Sequence, residues 1–430
     1  MTARPVDLKV DVEYVTRVEG HGHIRVETRG GELVRCEWNV VEPPRFFEAF
    51  LRGRSWQEAA LITSRICGIC SPGHQLTSLK ATEAAFGIEP SEQTILLRKL
   101  ICDAATLQSH ILHVYFLVSP DLLGVPSVIP LTKTHPEVVA RALRLKKLAN
   151  DVTDMVGGRA VHPVTMIPGG FTKVPTPDEL KGARDRLAAA ADDIVATAKL
   201  VRDLAGKIPA FERETEYIGL RTEGEYALYD GEIWSTDDGG HPVRDYLRVT
   251  NERVRPHSTA KHASFHRSSY MVGALARLNI NFDRLDGLGA RAAEILGFRP
   301  PVRNPYWNNI AQVIESALVT ERMIRWIDEL LALGPRPEPK PRVKPRAGRG
   351  IGSTEVPRGI LFHDYTYDEE GRVVGANCII PTNQNCASIE DDMRALVPRL
   401  IEEGRSRDEI AFALEVLVRA YDPCISCSVH

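Results

Sequence analysis

Arg65-Ile66-Cys67-Gly68-Ile69-Cys70, with His74 following, is answered at the other end of the chain by Asp422-Pro423-Cys424-Ile425-Ser426-Cys427, with His430 following. A two-residue spacer lets two thiolates from one turn grip a single ion. Two such turns give four sulfurs, a soft donor set that suits zinc, iron–sulfur or nickel. Zinc ribbons and fingers pair their C-x-x-C units within a few tens of residues, whereas these stand near opposite ends of a 430-residue chain. Closing so long a loop costs little more entropy than closing a short one, but the two pairs then meet only in a completed fold. That is how an active site is assembled, more than how a local staple is made. A buried structural zinc and a thiol–disulfide couple are the competing readings, and the spacing favours a catalytic metal centre.

Around these motifs the chain has an ordinary globular composition. Apolar residues make up 43% and charged residues 26%, with a net charge of −3. Those fractions exclude a disordered, collagen-like or coiled-coil protein, and the near-neutral balance gives no general pull toward nucleic acid or an anionic membrane. No window approaches eighteen uninterrupted apolar residues, so no membrane span is expected. The first twenty residues mix acids and bases and lack the apolar block of a signal peptide. A cytoplasmic location is the expectation. Eight cysteines over this length are not a secreted disulfide framework; Cys36, Cys102 and Cys386 carry no motif and read as small buried apolar residues.

The fold class expected is mostly α with small β segments, in one large catalytic domain over 1–430. Residues 1–45 read as a β segment, with Val10, Val12, Ile24, Val26, Val34, Trp38 and Val40 at short-period spacing and Gly30-Gly31 as a turn. A helical core follows over 46–334. Within it 92–118 carries an apolar stripe ending near Pro120, and 136–152, 177–207, 262–279 and 308–333 are further helices. Residues 335–349 (PRPEPKPRVKPRAGR) alternate proline with basic residues and read as an exposed, extended connector. A C-terminal segment, 350–430, completes the metal site, with helices over 387–403 and 406–420 and Ser388 marking the start of the first. Smaller strands are expected near 217–234 and 361–380.

The sequence resembles the large, catalytic subunit of the nickel–iron hydrogenases. The resemblance rests on Arg-x-Cys-Gly-x-Cys-x-x-x-His at 65–74 and Asp-Pro-Cys-x-x-Cys-x-x-His at 422–430. It is carried further by Thr16-Arg17-Val18-Glu19-Gly20-His21-Gly22, Arg45-Phe46-Phe47-Glu48, Val272-Gly273-Ala274-Leu275-Ala276-Arg277, Glu355-Val356-Pro357-Arg358-Gly359 and Cys378-Ile379-Ile380-Pro381-Thr382. The nearest likeness is to the soluble NAD(P)-linked, sulfhydrogenase-type branch. The resemblance implies a long-helix bundle core and a reversible splitting of dihydrogen into protons and electrons.

It also implies roles for particular residues. All four thiolates would bind nickel, with Cys70 and Cys427 bridging to iron and Cys67 and Cys424 terminal. The iron would carry carbon monoxide and cyanide, with Arg358, Pro381 and Thr382 lining the cyanide pocket. Cys424 would act as the base for the proton and Glu19 as its next carrier. Asp422 and Arg358 would form an ion pair over the open metal position, and His74 would hydrogen-bond a bridging sulfur. A second, hard site for magnesium (iron in some relatives) would be built from Glu48, His430 and the backbone carbonyl of Cys378. Relatives lose a C-terminal tail after this histidine to a maturation protease, with nickel-insertion factors acting first, so a chain ending at His430 resembles the mature form. One departure is Ser109-His110, where membrane-bound relatives carry an Asp-His pair.

Apart from the motif cysteines, no cysteine run is suited to an iron–sulfur cluster, and no Gly-x-Gly-x-x-Gly or Walker-type loop is present. An iron–sulfur small subunit is therefore implied as a partner, together with flavin and iron–sulfur subunits that reach NAD(P). Two rival readings remain at this level: a hydrogen-sensing regulatory hydrogenase, and a zinc-stabilised binding protein without catalysis. A redox-complex protein of the respiratory quinone-reductase type shares the expected fold, but its relatives lack the nickel cysteines that this chain retains.

Overall fold

The computed structural model describes residues 7–430. Three antiparallel strands open the chain: β1 (Lys9–Val12), β2 (Gly22–Arg29) and β3 (Glu32–Val40). The β2–β3 connection is the two-residue loop Gly30-Gly31, both at positive φ (57° and 84°), the conformation that the right-handed strand twist demands of a tight hairpin. Alternation buries Ile24, Val26, Cys36 and Trp38.

The helical body is built from α1 (Ser71–Phe86), α2 (Glu92–Leu112), α3 (Pro136–Gly157), α4 (Pro177–Ala189) and α5 (Ala191–Leu204). The 92–118 helix is regular only to Leu112. A wider π turn spans His113–Val118 before the helix resumes and stops at Gly124 (φ 67°). Pro120 explains this: it has no N–H, and its ring would clash with the carbonyl one turn back, so the ladder opens there. The stretch 177–207 divides at Ala190, with Thr176 and Glu179 closing a capping box on α4.

Residues 262–279 are not one helix. Strand β4 (Glu216–Arg221) pairs in parallel with Tyr270–Met271, while β5 (Arg253–Arg255) and β6 (Ser258–His262) form a hairpin. Helix α6 begins only at Ala274 and ends at Asn281. The backbone N–H groups of His266 and Arg267 donate to the Glu216 carboxylate instead of to a helical carbonyl, and Gly273, at φ 119°, stops a helix from propagating through it. Helix α7 (Asn308–Leu333) runs along α2 through the centre of the molecule.

The last sheet is antiparallel, β7 (Gly348–Val356), β8 (Gly359–Tyr367) and β9 (Val373–Ile379), followed by α8 (Pro381–Glu402) and α9 (Arg407–Ala420). Strand β7 begins inside the stretch read as connector; the preceding residues lie extended across the surface, where Glu338 accepts from Ser91 and Gln93 bonds Arg336. Helix α8 starts at Pro381, six residues before the expected boundary. Proline is pre-set for a first helical turn, and Ser388 lies inside the helix, bonding Tyr421 rather than capping. No helix among the described residues is long and apolar enough to cross a membrane.

One packing seam positions everything else. Gly348, Gly350 and Gly352 alternate along β7 on the side facing α1, and a Cβ on Gly350 or Gly352 would overlap the carbonyl oxygens of Ala81 or Thr77. Period two on the strand meets period four on the helix, so backbone packs on backbone. Gly73, near the start of α1, similarly receives Val356. The helix that carries Cys70 at its entrance is thereby clamped to the sheet that carries Arg358 and Cys378.

Candidate metal centre

Each sulfur reaches the site from a different kind of local structure. Cys67 and Cys70 form the turn that enters α1, and the Cys67 Sγ accepts the backbone N–H of Ile69 and of Cys70, both at 3.2 Å. Hydrogen bonding with Cys70 leads the effects that hold the Cys67 thiol below its ordinary value, with the Arg358 charge and the two amides helping against burial. Cys70 is held well above its ordinary value by the same pairing and by burial. A bound cation would displace the thiol protons.

Cys424 and Cys427 lie on the final turn of the chain, Cα atoms 5.4 Å apart and joined as a disulfide. Reduction converts this arm into two thiolate donors. Across the loops, Cys67 Sγ lies 3.5 Å from Cys424 Sγ and Cys70 Sγ lies 3.8 Å from Cys427 Sγ. Four sulfurs at about 2.3 Å from one ion would be about 3.8 Å apart at tetrahedral angles. All four donor atoms lie within 4.8 Å of one another and all are buried. The donor set therefore fits a thiolate-bound transition metal, with the two C-x-x-C pairs brought together as the sequence reading expected.

The polar surroundings are specific. Cys424 Sγ meets Glu19 Oε2 at 3.2 Å, the Ser426 N–H donates to the same oxygen at 3.0 Å, and the Ser426 hydroxyl donates to Oε1. The Ile425 N–H donates to the Glu19 carbonyl at 2.9 Å, so Glu19 and the cysteine turn are held by main chain as well as side chain. The Cys424 N–H donates to Thr382 Oγ1 at 3.0 Å, tying the turn to the start of α8 just beyond Pro381.

Arg358 sits in the two-residue turn Pro357-Arg358 between β7 and β8. The turn is pressed against Val272 and Gly273 by Gly359, at φ 133°, where any side chain would collide. Its Nη2 donates to Asp422 Oδ1 at 2.7 Å, its Nε to the Asp422 carbonyl at 2.6 Å, and its Nη1 to Ser109 Oγ at 3.3 Å. Asp422 adopts a left-handed backbone (φ 51°), which turns both its carbonyl and its carboxylate toward this guanidinium. The expected Arg358–Asp422 ion pair is present and buried.

Glu48 Oε1 accepts the Cys378 N–H at 2.8 Å and lies 3.6 Å from His430 Nε2. That separation is too long for a good hydrogen bond. Burial works to raise the Glu48 carboxyl, but His430 and the Cys378 amide outweigh it and hold it below its ordinary value. Glu48, Cys378 and His430 are brought together, with the Cys378 amide rather than its carbonyl making the contact.

His74 makes a contact with β8. Its Nδ1 meets His363 Nε2 at 3.3 Å, and His363 Nδ1 pairs with the Tyr365 hydroxyl. Burial pushes His74 down to about 3, with the His430 and Arg45 charges adding to it. Both imidazoles are neutral. His74 lies a full turn into α1, which brings its Nδ1 to β8.

Other residues at the site carried no assigned role in the sequence reading. Arg45 ties the two cysteine loops together, donating from Nη2 to the Ile66 carbonyl at 2.6 Å and to the Ser426 carbonyl, while its N–H donates to the Val429 carbonyl at 2.7 Å. Beneath Arg358 lies a closed charge network. Arg277 bridges Glu315 (2.6 and 2.7 Å) and Glu355 (2.8 Å), and His110 and Tyr226 each meet Glu315 at 2.7 Å. Burial dominates the Glu355 carboxyl and pushes it up to about 7, against the pull of Arg277. Cys36 and Cys102 are buried thiols pushed up to about 12 by desolvation. They behave as neutral core residues.

Comparisons with known proteins agree with this geometry. The family model described as nickel-dependent hydrogenase matches residues 45–140 and 225–430. Over 427 residues the chain is 34% identical to the alpha subunit of sulfhydrogenase 1 from Pyrococcus furiosus, covering 98% of both chains. Over 433 residues it is 32% identical to the alpha subunit of sulfhydrogenase 2 from the same organism, again covering 98% of both. Among solved structures, an NAD+-reducing NiFe hydrogenase in the H2-reduced state superposes with a TM-score of 0.88 at 26% identity, covering 98% of this chain and 99% of that one.

Proposed function

The chain belongs to the nickel-dependent hydrogenase family and is an oxidoreductase acting on dihydrogen; from that premise we propose how its own residues divide the work. The observation that carries the reading is the convergence of four buried cysteine sulfurs with Glu19 in contact with one of them. A nickel–iron pair held there supplies the electron-pair acceptor against which dihydrogen is split. Cys67, Cys70, Cys424 and Cys427 would hold it through their four sulfurs.

Splitting dihydrogen heterolytically releases a proton that needs a base within hydrogen-bond reach. The Cys424 sulfur is that base, and Glu19 Oε2 receives the proton across the 3.2 Å contact. The Ser426 amide and hydroxyl hold both Glu19 oxygens, so the acceptor stays aimed at the sulfur without reorganising. Arg358 presents a fixed positive charge over the site, locked from behind by Asp422, and with Pro381 and Thr382 it lines the pocket for carbon monoxide and cyanide ligands on iron. Glu48, His430 and Cys378 form a second, oxygen- and nitrogen-lined site for magnesium.

Electrons leave through a partner. We assign an iron–sulfur small subunit to the face near Phe46 and Phe50, two aromatic side chains more than half exposed beside Glu48. NAD(P)-reducing flavin and iron–sulfur subunits, a cytoplasmic location, and maturation by nickel-insertion factors and a C-terminal protease complete the reading. The similarity to the Pyrococcus sulfhydrogenases and to the NAD+-reducing enzyme supports the first of these.

The test is an infrared spectrum of the anaerobically purified protein in the region where metal-bound carbon monoxide and cyanide absorb. Bands that shift under dihydrogen are expected. Zinc in place of nickel and iron, with no such bands, would overturn the assignment.

A further inference from the structure

A second cluster of metal-ligating side chains lies outside the cysteine site, where the N-terminal sheet, the β5–β6 hairpin and α8 meet. His257, His262 and Glu390 each offer a donor atom, all within 4.8 Å of one another. His257 Nε2 faces Glu390 Oε1 at 2.7 Å, and the two imidazole rings stand edge to face with centroids 5.7 Å apart. His262 is 1% exposed, yet among the described residues neither of its ring nitrogens has a hydrogen-bond partner. A buried imidazole without partners is costly by about 1–3 kcal/mol per unsatisfied group.

We propose that His257, His262 and Glu390 form a binding site for one divalent d-block cation of the zinc class. The donor set of two imidazoles and one carboxylate is a three-ligand arrangement that zinc takes with water in the fourth position. The local charges select the ion. Arg394 donates to Glu390 Oε2 at 3.2 Å and Arg253 and Arg255 lie near His262, so a hard ion held by charge alone is disfavoured. An ion bound through nitrogen lone pairs is not. The orientation of the carboxylate is already set: Arg394 occupies Oε2, and the Trp38 backbone N–H donates to Oε1 at 3.1 Å, leaving that oxygen turned to the histidines. His257, with its side chain 19% exposed, gives an ion a way in. The ion would pin the β5–β6 hairpin to α8, and α8 is the helix whose first turn holds the Cys424 amide.

This site is independent of the reading given to the cysteine centre. Zinc content is measured after the purified wild-type, His262→Gln and His257→Gln proteins are equilibrated with Zn2+ and passed through a desalting column. Wild type should retain one more zinc per chain than either variant, with nickel and iron equal in all three, and X-ray absorption should show that zinc in nitrogen and oxygen ligands. Equal zinc in all three proteins, or a zinc with only sulfur neighbours, overturns the proposal and assigns the ion to the cysteine loops. Should the buried His262 variant fail to fold, the His257 variant on the rim carries the same comparison, and zinc equal to wild type there overturns the site.

Discussion

Glu19→Gln separates proton transfer from assembly. Glutamine matches glutamate in shape, and its amide can satisfy every contact that Glu19 makes. The carbonyl oxygen can accept from the Ser426 N–H (3.0 Å) and face Cys424 Sγ (3.2 Å), while the NH2 donates to the Ser426 hydroxyl. The main-chain bond from the Ile425 N–H to the Glu19 carbonyl is untouched. Exchanging charge-assisted for neutral hydrogen bonds on this half-buried side chain costs about 1 kcal/mol of stability, so the cysteine turn and its metals should stay in place. An amide, however, does not take up a proton near neutral pH. Loss of one positioned acid–base group slows a reaction by about 10²–10⁴-fold, which is about 3–5 kcal/mol on the barrier. The assay is dihydrogen–deuterium exchange in D2O, read beside nickel and iron content and the infrared bands. A wild-type exchange rate at full metal content would refute Glu19 as the proton acceptor. Glu19→Asp sharpens the test, because it keeps the acid but withdraws it by about 1.5 Å, beyond hydrogen-bond reach of Cys424, and should fall between the two.

Three other outcomes follow from the packing and charges. Gly350→Ala drives a methyl into the Ala81 carbonyl, backbone against backbone with no rotamer to yield; chemical denaturation should show a loss of at least about 1–3 kcal/mol, together with reduced nickel retention. Arg277→Met leaves Glu315 and Glu355 buried without their cation, and a loss of about 3–5 kcal/mol is expected from the same measurement. His266 is held above its ordinary 6.5 mainly by its hydrogen bond to Glu216, with Asp238 and Asp237 adding to it. A raised histidine contributes stability that is fully present below about pH 6.5 and lost as pH rises through the elevated folded value. Thermal melts across that range should show this decline in the wild type and a flatter profile in His266→Gln.

The cysteine centre was legible because its chemistry is written in local spacing: two C-x-x-C pairs need no knowledge of the fold to be recognised as donors. The long helices over 92–112 and 308–333 were legible because one face of each is apolar at helical period. Helix α1 was not, since it is buried on nearly all sides and has no stripe to detect. Strand β7 was hidden by its glycines, which normally argue against a strand and here permit the approach to α1. The partner of His74, the ties made by Arg45 and the Arg277 network were illegible for a common reason. Each pairs residues tens to hundreds of positions apart, and single polar side chains carry no mark of whom they will meet.

The glycine seam between β7 and α1 also determines where the metal site can breathe. A contact made of side chains has alternative rotamers and can slide by small steps, whereas carbonyls packed against bare Cα atoms have a single register. Cys67 and Cys70 therefore ride on a part of the molecule with no slack. Any change in the spacing of the four sulfurs on admitting an ion falls to residues 422–430. That turn is held by hydrogen bonds to Glu19, Arg45 and Thr382. In amide exchange the two halves of one site should consequently behave as different solids, α1 and β7 nearly silent and the final turn opening first.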